Sequence, residues 1–148
     1  SKLWVTVDKF ESKVKHWERV RITGATKAGK SPTAENIAVV MGMHSKNTRI
    51  CLYNPREDSL KNNWSIPAIG ETHNDSRDGL KTLVDAVQNK IKNLPIFVFD
   101  EVDNTLTDVA NGKKQYTLGC QIKFVLKEAS HDGIKVILIG QNAYCSNY

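Results

Sequence analysis

Val20-Arg21-Ile22-Thr23-Gly24-Ala25-Thr26-Lys27-Ala28-Gly29-Lys30-Ser31 decides how the rest of this chain is read. From Gly24 to Ser31 it matches G-x-x-x-x-G-K-[ST] in full, and Val20-Arg21-Ile22 before it is a short apolar strand candidate. Glycines let the backbone curl around an anion, so that successive N–H groups and a helix N-terminus point partial positive charge at it. In such a loop Lys30 reaches the β and γ phosphates of a nucleotide and the Ser31 hydroxyl holds Mg2+. Gly24, Ala25, Thr26, Lys27, Ala28, Gly29, Lys30 and Ser31 together form the expected phosphate cradle. Downstream, Ile37, Ala38, Val40 and Met41 recur at helical spacing and predict a helix to about Met43. Strand, loop and helix in that order are the context the motif requires. The bland alternative is a chance Gly/Lys string, and two further sites weigh against it.

Pro32 departs from the pattern. Proline in a first helical turn costs the fold little, because N–H groups there lack intrahelical partners. It does remove one donor to the α-phosphate. The Thr33 hydroxyl is the residue placed to replace part of that contact.

Asp100 lies 70 residues after Lys30 and closes the apolar run Leu94-Pro95-Ile96-Phe97-Val98-Phe99. A run of this kind predicts a strand buried on both faces of a parallel sheet, with its acids at the carboxyl edge. Ligands of open α/β sheets bind at that edge. There Asp100 would hold Mg2+ through its water shell, and Glu101 would act as general base on the water that attacks phosphorus. Taken alone, Asp-Glu at a strand end also fits a solvated acidic turn. A third apolar strand, Lys135-Val136-Ile137-Leu138-Ile139-Gly140, runs into Gln141, 41 residues after Asp100. An uncharged amide there would bond the attacking water and a phosphate oxygen and so sense the γ-phosphate; an ordinary polar strand exit fits equally well.

Taken together, these sites resemble the P-loop ATPases that have an additional strand and a catalytic glutamate. Within that division, Lys127-Glu128-Ala129-Ser130-His131-Asp132-Gly133-Ile134, followed by the strand into Gln141-Asn142, looks like the FtsK and HerA superfamily. Its members include DNA translocases, conjugative coupling proteins and filamentous-phage assembly ATPases. The likeness spans roughly Val20 to Asn142 and departs from the pattern at Pro32 and at Lys27, where a small residue is usual. It implies a RecA-like α/β fold, a parallel sheet with helices on both faces in three layers. It further implies ATP and Mg2+ as ligands, DNA as partner, and a homo-oligomer in the full-length protein. An AAA+ replication helicase or loader is the neighbouring alternative. From another class, a nucleotide-gated interaction or scaffold module would need Pro32 to have weakened the site. A P-loop kinase fits less well, since Glu101 has no task there. The absence of an N-K-x-D motif favours adenine over guanine.

At 148 residues the chain is expected to form one domain, with 40% hydrophobic and 25% charged residues in the ordinary globular range. No apolar run nears the roughly 20 residues of a membrane span, and no signal-peptide core precedes the first strand. Three cysteines without a C-x-x-C pair argue against a disulfide framework and a zinc site, and fit a cytoplasmic setting. His16, His44, His73 and His131 lack ligand spacing and are expected to be surface or structural. A net charge of +5 suits a polyanion, although the modest clusters at Lys9 to Arg21 and at Lys113-Lys114 also fit solvated faces. Trp17 could stack on a base or pack in the core.

Alternating signals predict a parallel, doubly wound sheet. They give a strand at 48–53, a short one at 68–70, a helix at 75–93 with Asp75 or Ser76 as N-cap, a functional loop at 102–119, and a helix at 116–130. Leu80, Leu83, Val84, Val87 and Ile91 form the expected inward stripe of the first of these helices. Arg49, Arg56 and Arg77 are available as fingers. With no initiating Met, and an end six residues past Asn142, a fragment of a longer chain is expected.

Overall fold

The apolar strands alternate their side chains between two separate cores. In the computed structural model, which describes residues 19–23, 30–56, 62–102, 105, 127 and 134–140, four strands form one sheet in the order β1-β4-β3-β2. They are β1 (Arg19–Thr23), β2 (Ile50–Tyr53), β3 (Ile96–Phe99) and β4 (Val136–Gly140). All neighbouring pairs are parallel. Each strand of a parallel sheet is covered on both faces, which is why β3 and β4 read as unbroken apolar runs rather than as alternation. Every residue of those two strands is buried.

Helix α1 (Lys30–Met43) covers one face: Ala34, Ile37, Ala38 and Met41 pack with Leu52, Ile96, Val98, Ile137 and Ile139. Helix α2 (His73–Gln88) covers the other, packing Leu80, Leu83, Val84 and Val87 against Cys51, Tyr53, Phe97, Phe99, Val136 and Leu138. The result is α/β, with a parallel sheet between two helices. The helix through Pro32 is unbroken, and the expected end at Met43 coincides with the observed one. Cys51 is a free buried thiol, and burial pushes its pKa up.

Three local expectations need correction. First, α2 begins at His73, two residues before the predicted start, because Thr72 is its N-cap. The Asp75 backbone N–H donates to Thr72 Oγ1 at 3.0 Å and the Thr72 N–H donates to Asp75 Oδ2 at 3.1 Å, so Asp75 is the third residue of a capping box. Second, α2 ends at Gln88, and Ile91, expected inside, is 53% exposed in the turn beyond it. Third, 68–70 forms no strand but a single parallel bridge from Tyr53 to Gly70. A Cβ on Gly79 would sit 2.3 Å from the Tyr53 ring, so the close approach of α2 to β2 requires glycine there.

Of the predicted loop at 102–119, the described residues are Val102 and Thr105, and both are helical and buried. Of the helix at 116–130, Lys127 is described, and it is helical and exposed. The Lys113-Lys114 pair, the Lys9 to Arg21 cluster apart from β1, Trp17, His16, His131, Cys120 and Cys145 lie outside the described residues.

Candidate functional site at the carboxyl edge of the sheet

Parallel strands send all their carboxyl ends to one edge, and here α1 also starts at that edge. Thr23, at the end of β1, pairs in register with Gly140, at the end of β4. Phe99, at the end of β3, pairs with Tyr53 on one side and Leu138 on the other. Asp100 therefore emerges beside the first turn of α1, where Ser31 Oγ donates a hydrogen bond to Asp100 Oδ2 at 3.2 Å. The two residues are 69 apart in the chain. A hydroxyl and a carboxylate held side by side form a pair of hard oxygen donors of the kind Mg2+ takes.

Asp100 is buried, and its remaining acceptor capacity is largely used by the protein. Trp64 Nε1 donates to the same Oδ2 at 2.9 Å, and the backbone N–H of Glu101 donates to Oδ1 at 2.8 Å. An ionised carboxylate has about four lone-pair sites, so three donors fix its orientation and leave little slack. Its own N–H donates to Tyr53 O at 2.9 Å, which holds the strand end in the sheet.

Glu101 has a φ of 54°, in the left-handed region. A non-glycine residue there costs on the order of 1 to 2 kcal/mol, and two contacts offset that cost. Asp100 Oδ1 receives the Glu101 N–H, and the Glu101 carbonyl accepts from Thr105 N–H at 3.2 Å. Thr105 is buried and is held in turn from α2: its Oγ1 lies 2.8 Å from His73 Nδ1, and its carbonyl accepts from Arg77 Nη2 at 3.2 Å. The chain thus turns sharply at the acidic pair, and the first turns of α2 brace the segment that follows. His73 and Arg77 have structural partners in the fold, as expected for His73. Arg56 is paired with Glu71 at 2.6 Å.

Trp64 was not legible as a site residue, since it stands in the polar stretch Asn62-Asn63-Trp64-Ser65. It is 6% exposed and packs on the α1 face. Two anchors put it there. Asn62 Oδ1 accepts from the Trp64 N–H at 3.0 Å, and Asn62 is joined to the Asn54 amide at 3.2 Å. On α1, the Glu35 carboxylate accepts from Ser65 Oγ, Ser65 N–H and Ile66 N–H. Those bonds, that from the Ser65 hydroxyl first, hold the Glu35 carboxyl below the usual carboxylate range. The only available signal was a large aromatic in an otherwise polar loop, which has to find a core somewhere.

Among the expected site residues, then, Ser31, Asp100 and Glu101 come together at one edge, and Thr33 lies in the first turn of the same helix, half-buried. Lys30 opens α1. Gly24, Ala25, Thr26, Lys27, Ala28 and Gly29 lie outside the described residues, as does Gln141, although Gly140 carries the chain to within one residue of it beside β1. No helix among the described residues is long and apolar enough to cross a membrane. No protein-family model and no curated protein matches the chain.

Proposed function

We propose that this chain is a Mg2+-dependent ATP-binding and hydrolysing domain of RecA-like fold, similar to the FtsK and HerA motors, that acts on DNA within a homo-oligomer. The observation that carries this is the hydrogen bond from Ser31 Oγ to Asp100 Oδ2, because it joins the last residue of the P-loop signature to the acid that closes a buried strand. Support also comes from β4, which is interposed between the P-loop strand β1 and the acidic strand β3. Such an additional strand is what characterises the division of ATPases that this sequence resembles.

Each residue then has a task. The backbone of residues 24–31 and the start of α1 cradle the phosphates, and Lys30 neutralises charge on the β and γ groups. Ser31 and Asp100 are hard oxygen donors that would hold a divalent cation. When bound, Mg2+ draws off the charge that develops on the phosphate oxygens. Glu101 takes a proton from the attacking water. Gln141 senses the γ-phosphate. The strained backbone at Glu101 fixes where its carboxylate leaves the chain, which is how a general base is pre-positioned.

Pro32 favours a second reading, a nucleotide-gated interaction module, since it lacks the N–H that would hold the α-phosphate. Mg2+-dependent ATP hydrolysis, measured with and without DNA at two salt concentrations, separates the two. Turnover stimulated by DNA, with stimulation weakening as salt rises, is the expected result. Binding without turnover under every condition would transfer the assignment to the gated module.

A further inference from the structure

At the amino ends of the strands, across the sheet from Asp100, three connections meet. They are the turn after α1, the turn after α2, and the residues that lead into β4. Together they border a cleft of about 500 Å3 carrying Lys46, Lys90, Lys92 and Lys135, with His44 beside them. These lysines come from three separate parts of the chain, so no basic run in the sequence announces them. Lys46, Lys90 and Lys92 are exposed. Among the described residues, no Asp or Glu lines the cleft.

The cleft is structured rather than a chance gathering of long side chains. Lys90 and Asn93 both have left-handed backbone, with φ of 54° and 58°. Asn47 Nδ2 donates to the Asn93 carbonyl at 2.9 Å, which ties the two turns together. The Lys90 N–H donates to Val87 O at 3.0 Å and the Ile91 N–H to Ala86 O at 3.0 Å, closing the end of α2 under the lysines.

The exposed ammonium groups of Lys46, Lys90 and Lys92, gathered around one cleft, repel one another, and water and salt relieve that repulsion only in part. A polyanion would turn it into attraction, with release of its condensed counterions. Among the described residues the lining has no Phe, Tyr or Trp, the broad rings on which unpaired bases stack best. Its ammonium and amide donors suit phosphate oxygens instead. We propose that this cleft docks the phosphate backbone of double-stranded DNA, without sequence preference, on the side of the sheet remote from the nucleotide site. The proposal rests on the DNA half of the function given above and is independent of the ATPase half.

The test is fluorescence anisotropy of a labelled duplex of about 20 base pairs, titrated without nucleotide between about 50 and about 200 mM salt. Each phosphate contact contributes about 0.9 to the slope of log affinity against log salt. Replacing Lys46, Lys90 and Lys92 together by Gln is therefore expected to flatten that slope by about 3 and to weaken low-salt binding by at least about tenfold. The matching triple Arg variant, which keeps the charge, should bind like the parent, and Lys30→Ala should leave duplex binding unchanged. Parent-like affinity and slope in the Gln variant would overturn the cleft assignment while leaving DNA as partner, as would loss of binding only in Lys113→Gln/Lys114→Gln. If the Gln variant instead loses binding to anionic phosphatidylserine vesicles and keeps duplex binding, the surface reads membrane and the proposal falls. Failure of the parent chain to bind duplex at any salt would overturn the DNA half of the function itself.

Discussion

The two edges of one sheet carry opposite chemistry. At the carboxyl edge a hydroxyl, an indole and a backbone N–H converge on Asp100, and every partner is accounted for within the fold. At the amino edge four lysines border a cleft with no carboxylate among its described lining residues. The strands that separate these edges are four or five residues long, which puts the two regions roughly 15 to 20 Å apart. The difference teaches how a small parallel sheet can divide labour. Strand polarity sends all strand ends to one side and all strand starts to the other, so a residue's place before or after a strand decides which environment it joins.

The sharpest way to break the contrast is to disable the carboxyl edge alone. Glu101→Gln is expected to lower ATP turnover by roughly a hundredfold to ten-thousandfold, with MgATP affinity nearly unchanged, as read by single-turnover hydrolysis and calorimetry. Lys30→Ala should remove nucleotide binding instead. If Glu101→Gln hydrolysed at the parent rate, the general base would have to be another residue.

A smaller effect is expected at Trp64. Phe in its place keeps a ring in the core and removes only the indole donor to Asp100 Oδ2. A hydrogen bond to a carboxylate contributes about 1.5 to 3 kcal/mol, so urea unfolding of Trp64→Phe should show a loss of that order. The Mg2+ dependence of nucleotide binding should shift with it, since Asp100 is then held by fewer donors. Unchanged stability together with an unchanged Mg2+ dependence would show that the indole does not orient the carboxylate.

The smallest effect is acid sensitivity, and it should sit at one edge. The Asp75 carboxyl is held below the usual range, first by the N–H of Glu71 and then by Thr72, as Glu35 is by Ser65 and Ile66. A carboxylate whose folded-state pKa is depressed stabilises the fold above its unfolded value and loses that contribution as pH falls through the folded value. Stability from these two groups is thus present at neutral pH and fades as pH drops below about 4. Both are half-buried at the surface, where solvent screening limits each contribution to about 1 kcal/mol or less. Amide exchange followed on acidification should rise first at residues 65–66 and 71–75, and later at the turn 89–94. Simultaneous loss at both edges would mean that the capping box and the Glu35 clasp make no local contribution.

The parts legible from sequence were those governed by short-range pattern. The helix after the P-loop signature, the apolar strands ending in Asp100 and Gly140, and the stripe Leu80, Leu83, Val84 and Val87 could all be read from spacing, and they stand where spacing put them. Spacing points to Asp75 or Ser76 as the N-cap of α2, because both are good caps in isolation. Thr72 takes that place because Asp75 can return a bond to it. Ile91 continues the helical stripe and so reads as core from spacing, yet the helix has already ended at Gln88.

By itself, then, the sequence determined the four strands of the described sheet, the two helices that cover it and the chemical candidates Lys30, Ser31, Asp100 and Glu101, since local periodicity and a contiguous motif carry both kinds of information. Only the tertiary structure decided that Ser31 and Asp100 touch, that Trp64 shares their carboxylate, and that Lys46, Lys90, Lys92 and Lys135 surround one cleft. Those outcomes depend on strand order and register. Order and register are set by how whole faces pack, and no short stretch of residues encodes them.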